Sequence, residues 1–91
     1  MRTVFLGTPE FALPSLQALA ARHQVAAVFT QPDRPKGRGN ELAESPVKTA
    51  ARRLGIPVYQ PERIRRPEPM ENLRNLAPEI MVVVGYGQII P

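Results

Sequence analysis

Three runs in this chain are apolar without alternation: Thr3-Val4-Phe5-Leu6, Val25-Ala26-Ala27-Val28-Phe29 and Ile80-Met81-Val82-Val83-Val84. A strand whose successive side chains are all apolar needs cover on both faces. A shorter run, Ile56-Pro57-Val58-Tyr59, carries a proline that places it at a sheet edge. Between the runs lie helical patterns. Residues 10–22 place Phe11, Leu16 and Leu19 near helical spacing, with Pro14 tolerable only in the first turn. Residues 46–54 place Val47, Ala50, Ala51 and Leu54 at i, i+3, i+4 and i+7, and Gly55 is the expected stop. Met70, Leu73 and Leu76 mark a third helix that ends before Pro78. Doubly covered strands alternating with helices predict an α/β fold: a Rossmann-like three-layer sandwich, with a parallel sheet and helices on both faces.

The chain has 91 residues, enough for one small domain or for a piece of a larger one. It has no cysteine, which excludes a disulfide framework and a thiolate metal site. No apolar run approaches the roughly 20 residues that span a bilayer. The apolar stretch after Arg2 is too short for a signal peptide, so a cytoplasmic protein with no membrane partner is expected. The net charge of +4 makes anionic partners plausible.

A short cationic run lies within residues 31–48. Arg34, Lys36 and Arg38 stand at alternate positions, and Asp33 is the only acid near them before Glu41. Pro32, Pro35, Gly37 and Gly39 predict an irregular loop, and Ser45-Pro46 predicts a helix start. A cationic loop anchored to a helix suits a phosphate-rich partner, although charge runs are ordinarily solvated surface.

In an open parallel sheet, ligands bind at the carboxyl ends of the strands. The loops at that rim are Gly7-Thr8-Pro9-Glu10, the basic loop from Thr30, the charged loop over residues 60–69, and residues 85–91. A nicotinamide or flavin dinucleotide site needs Gly-x-Gly-x-x-Gly after the first strand; here Gly7 stands alone, followed by Pro9 and Phe11. Gly85-Tyr86-Gly87 is either a backbone surface for a flat ligand or a plain turn. His23 falls at the opposite, amino edge and reads as a solvated turn residue. Ser45-x-x-Lys48 mimics a nucleophile motif, but Ser45 before Pro46 reads better as a helix cap. Arg52, Arg53, Arg63, Arg65 and Arg66 read as solvated. No nucleophile–base pair and no metal cluster can be assembled from the sequence.

Four segments, in order, carry a resemblance: Gly7-Thr8-Pro9-Glu10-Phe11-Ala12, Phe29-Thr30-Gln31-Pro32-Asp33-Arg34-Pro35-x-Gly37-Arg38-Gly39, Ser45-Pro46-Val47-Lys48, and Val82-Val83-Val84-Gly85-Tyr86-Gly87-Gln88-Ile89-Ile90-Pro91. They resemble the methionyl-tRNA formyltransferases, with Glu44 where proline is common and Gly85 where alanine is common. The resemblance implies formyl transfer from 10-formyltetrahydrofolate to methionyl initiator tRNA, with no metal, nicotinamide or flavin. It implies that the loop over residues 31–44 contacts the tRNA acceptor stem through Arg38, supported by Arg34 and Lys36. Tyr86, Gly87, Gln88, Ile89 and Ile90 would belong to the wall of the folate pocket. Gly7, Thr8, Pro9 and Phe11 would lie near the aminoacyl end.

The family's Asn-x-His, its catalytic aspartate and its carboxyl-terminal tRNA-binding domain are expected downstream of Pro91. Residues 1–91 then form the amino-terminal portion of the catalytic domain, with no catalytic residue in this chain, and the 91 residues alone are expected to be inactive. The alternatives are a non-catalytic RNA-binding fragment, or a related folate-dependent formyltransferase with a sugar or nucleotide substrate.

Overall fold

A computed structural model describes residues 1–36 and 41–87 of the chain. Its elements are β1 (Arg2–Gly7), a 3-10 turn (Glu10–Ala12), α1 (Leu13–Arg22), β2 (Gln24–Phe29), β3 (Arg34–Lys36), β4 (Glu41–Ala43), α2 (Pro46–Arg53), β5 (Val58–Tyr59), α3 (Pro67–Leu76) and β6 (Ile80–Val84). Among the described residues, four parallel strands form a sheet in the order β5-β2-β1-β6. The chain builds outward from β1 through β2 to β5, then returns to add β6 on the other side of β1.

Both faces of the inner strands β1 and β2 are covered, as strands without alternation require, whereas the edge strand β6 leaves Ile80, Met81 and Val83 exposed. On one face, Phe5 and Val28 pack with Leu16 of α1 and with Val47 and Ala51 of α2. On the other, Val4, Leu6, Ala27 and Phe29 pack with Leu73 of α3, Ile64 and Tyr86. The rings of Phe29 and Tyr59 stack at 4.9 Å between centroids. Full burial of one such aliphatic or aromatic side chain is worth about 1.5–3 kcal/mol. The β1–β2 register pairs Thr3 with Val25 but Val4 with Ala27, so Ala26 is an extra residue. That bulge inverts the side-chain alternation. Val25 consequently joins Val28 on the α1–α2 face rather than Ala27 and Phe29 on the other.

Several expectations need correction. The segment from Arg34 to Ala43 is not irregular throughout: β3 and β4 pair antiparallel, with Arg34 opposite Ala43, Pro35 opposite Leu42 and Lys36 opposite Glu41. In a two-stranded ribbon both strands are edges, and a proline is admitted wherever its missing N–H would face away from the partner. The two glycines fall between the strands, outside the described residues. The third helix begins at Pro67, at the first helical position, rather than at Met70. It ends at Ala77 in the left-handed region, just before Pro78. Ile64, within the charged segment, is fully buried. Phe11 sits in the 3-10 turn and is 68% exposed, so it does not belong to the apolar stripe of the first helix. Leu54, at the end of the second stripe, is about half exposed.

Candidate functional site at the carboxyl rim

The strand order reverses between β1 and β6, so the crevice between their carboxyl ends is the place this topology offers a ligand. Gly7 ends β1, and a Cβ there would lie 2.8 Å from the Val84 carbonyl oxygen, so the two strand exits sit close together. Thr8 follows, and its Oγ1 donates to the carbonyl of Tyr86 at 3.2 Å. The same oxygen accepts from Thr30 Oγ1 at 3.4 Å and from the Gln31 amide at 3.3 Å. Thr30 Oγ1 lies 2.8 Å from Ser45 Oγ, which caps α2 by accepting from the Lys48 amide at 3.1 Å.

Proton counting orients this chain. A hydroxyl has one hydrogen. Thr8 directs its own at Tyr86, and Thr30 directs its own at Thr8, which leaves Ser45 as donor to Thr30. The run Ser45 → Thr30 → Thr8 → Tyr86 carbonyl therefore joins the exits of β1, β2 and β6 to the start of α2. Thr30 is fully buried, and both of its hydroxyl contacts lie within the run.

A second cluster lies beside it. Lys48 Nζ is 3.0 Å from Asp33 Oδ2 and 3.2 Å from Oδ1. Gln60 Nε2 donates to Asp33 Oδ1 at 2.8 Å and to the Gln31 carbonyl at 3.2 Å. Both of those partners are acceptors, which fixes the orientation of the Gln60 amide. The Gln60 hydrogen bond, followed by the Lys48 ammonium, holds the Asp33 carboxyl below its usual range, against a smaller opposing effect of burial. Further along α2, Thr49 Oγ1 donates to Glu44 Oε2 at 3.1 Å and Arg52 pairs with Glu44 Oε1. Arg52 is thus partnered rather than simply solvated.

At the β6 exit, Gly85 and Gly87 adopt φ of +63° and +91°, which side chains rarely take. A Cβ on Gly85 would fall 2.8 Å from Phe11 Cζ and 3.1 Å from Pro9 Cγ. One on Gly87 would fall 2.8 Å from Gln31 Nε2. Glycine here lets the Phe11 ring and the Gln31 side chain settle onto backbone. Tyr86 itself turns inward. It is 2% exposed among core residues, its hydroxyl has no hydrogen-bond partner among the described residues, and burial pushes its phenol up to about 12. At this position the rim therefore presents backbone, with the Tyr86 carbonyl already engaged by Thr8.

The structure brings Thr8, Pro9, Phe11, Tyr86 and Gly87 to one rim with Gly7. The hairpin carrying Arg34 and Lys36 rises from the neighbouring β2 exit. Arg38, Gln88, Ile89 and Ile90 lie outside the described residues. His23 is exposed at the opposite edge. Among the described residues no group of three potential ligands could hold a metal ion, and no helix is long and apolar enough to cross a membrane. Sequence reasoning missed the contacts of Asp33 with Lys48 and Gln60. The partners stand 15 and 27 positions apart and leave no local pattern, although a lysine three residues after a capping serine was a usable hint.

A family model described as formyl transferase matches residues 1–91. The methionyl-tRNA formyltransferase of Solibacter usitatus is 65% identical over 92 residues and covers the whole chain. Proteins of the same name from Xylella fastidiosa and Xanthomonas campestris are 58% and 59% identical over 91 residues, again covering all of it. The chain spans about 30% of the length of these relatives. With every one of its residues inside the match, the chain belongs to the formyl transferase family.

Proposed function

We propose that this chain is the amino-terminal part of an enzyme that moves a formyl group from 10-formyltetrahydrofolate to the amino group of methionyl initiator tRNA in the cytoplasm. The observation that carries the reading is the 58–65% identity, over the whole chain, to proteins named methionyl-tRNA formyltransferase. The basic hairpin beside the switch-point crevice supports it, because a macromolecular acceptor needs a charged approach surface next to the reaction site.

In the reaction the methionyl amine attacks the formyl carbon, and the carbonyl electron pair moves onto oxygen. The tetrahedral species collapses, the bond from carbon to N10 of the folate breaks, and N10 takes up the proton that the amine loses. Oxyanion stabilisation and proton transfer belong to residues beyond the 91 in this reading. The present residues bind and orient. Arg34, Lys36 and Arg38 meet phosphates of the acceptor stem. Gly7, Thr8, Pro9 and Phe11 border the aminoacyl end. The backbone at Tyr86 and Gly87, continued by Gln88, Ile89 and Ile90, forms part of the folate wall.

The test is an assay of the full-length protein with formyl-labelled 10-formyltetrahydrofolate and three acceptors: methionyl initiator tRNA, glycinamide ribonucleotide and an amino-sugar nucleotide. Label is expected on the methionyl-tRNA alone. Label on either small acceptor, with none on the tRNA, would overturn the reading.

A further inference from the structure

Thr30 follows β2 directly and is fully buried, where valine would match its shape. What threonine adds is one hydroxyl. It accepts from Ser45 Oγ at 2.8 Å and donates to Thr8 Oγ1 at 3.4 Å. Ser45 is itself fixed, because its oxygen caps α2. The Gln31 amide also donates to Thr8 Oγ1, at 3.3 Å. Both acceptor positions of the Thr8 hydroxyl are then taken, and its single hydrogen is directed at the Tyr86 carbonyl.

That carbonyl belongs to a peptide whose next residue is Gly87, exposed and at φ +91°. Glycine takes positive and negative φ about equally, so Gly87 does little to hold the peptide plane. The bond from Thr8 holds it. The peptide is trans, so a carbonyl turned toward Thr8 sends the Gly87 N–H the opposite way. We infer that Thr30 is a positioning residue for the formyl donor: its hydroxyl orients Thr8, and Thr8 fixes which face of the Tyr86–Gly87 peptide the crevice presents. This role rests on the reading that the backbone at Tyr86 and Gly87 borders the folate. Buried Thr30 touches no reacting atom. Its effect falls on donor affinity and not on tRNA affinity, which phosphate contacts dominate.

The experiment uses the full-length protein carrying Thr30→Val, Thr30→Ser, Thr3→Val or Gly87→Ala. The readouts are the KM for each substrate, the equilibrium Kd for tetrahydrofolate and the melting temperature. Thr3 is the matched control: it is 1% exposed and its Oγ1 donates to the Gln24 carbonyl at 2.8 Å, but at the amino edge of the sheet. Thr30→Val should raise the donor KM and the tetrahydrofolate Kd by about 3–10-fold, the factor one ordinary hydrogen bond sets, and leave the methionyl-tRNA KM within about twofold. Thr30→Ser keeps the hydroxyl and should hold the donor KM within about twofold, even where loss of the methyl lowers the melting temperature. Thr3→Val should lower the melting temperature and move neither KM nor Kd. A donor KM raised equally by Thr3→Val or by Thr30→Ser would show general loosening and overturn the inference. Gly87→Ala puts a Cβ 2.8 Å from Gln31 Nε2, at a φ that side chains rarely adopt, and so perturbs the wall directly. A donor KM raised by Gly87→Ala but not by Thr30→Val would sink the positioning role and leave the folate-wall reading standing. No change with Gly87→Ala would remove both. Should Thr30→Val fail to fold, Thr30→Cys, whose thiol is only a weak donor, decides in its place.

Discussion

Thr8 Oγ1 donates to the Tyr86 carbonyl across 3.2 Å, tying the exit of β1 to the exit of β6 where the strand order turns back. The crevice of an open α/β sheet forms by divergence of neighbouring loops at this point. Here a side chain sets the spacing of the two loops, and that side chain is itself set by Thr30 and the Gln31 amide.

Thr8→Val should therefore do more than remove one bond. It takes away a donor and an acceptor, leaving the Tyr86 carbonyl and the Thr30 hydroxyl each one hydrogen bond short. The expected loss is about 1–3 kcal/mol, read as a lower denaturant midpoint of the full-length protein at unchanged slope. Thr8→Ser should retain most of the stability. An unchanged midpoint for the valine variant would contradict the network.

Tyr86 gives a prediction of the opposite sign. Its phenol is buried and has no hydrogen-bond partner among the described residues. Tyr86→Phe should then be neutral or stabilising by up to about 1 kcal/mol near neutral pH. With its pKa raised from 10.0 to about 12, the phenol stays protonated in the fold while the unfolded chain releases its proton. Its contribution is intact below the unfolded value and is lost as pH rises through the window from 10.0 to about 12. Wild-type stability should fall faster than that of Tyr86→Phe across that window. Parallel pH profiles would show that the hydroxyl is solvated or bonded.

The fold was legible because its strands are apolar on both faces and its helices begin and end with recognisable chemistry. Ser45 caps α2 as its position before Pro46 predicted, and Val47, Ala50 and Ala51 face the sheet. The hairpin was not legible. Pro35 and the nearby glycines speak against a central strand, and a ribbon with two edges escapes that rule. Nor was the Asp33–Lys48–Gln60 cluster, because it forms only once the sheet brings the exits of β2 and β5 side by side. Tyr86 was placed on the correct rim, but the direction of its ring depends on packing with Val4, Leu6 and Phe29, which the sequence pattern does not encode.

Strand β6 carries a different consequence. Met81 and Val83 turn toward the α3 face, yet α3 leaves them 38% and 49% exposed, with Ile80 also exposed at 45%. An apolar strand at a sheet edge is a template for association. The 91-residue chain on its own is expected to self-associate, and Met81→Lys/Val83→Lys should shift it toward monomer in sedimentation velocity. A concentration-independent monomer in the unsubstituted chain would contradict this.

The basic hairpin is proposed as the element that meets the acceptor tRNA. Its most direct test is the salt dependence of methionyl-tRNA binding by the full-length protein, with and without Arg34→Ala/Lys36→Ala/Arg38→Ala. Three phosphate contacts predict that the slope of log affinity against log salt becomes shallower by roughly 2 to 3 in the variant. An identical slope in the two proteins would show that these cations do not touch the tRNA and would contradict the central claim.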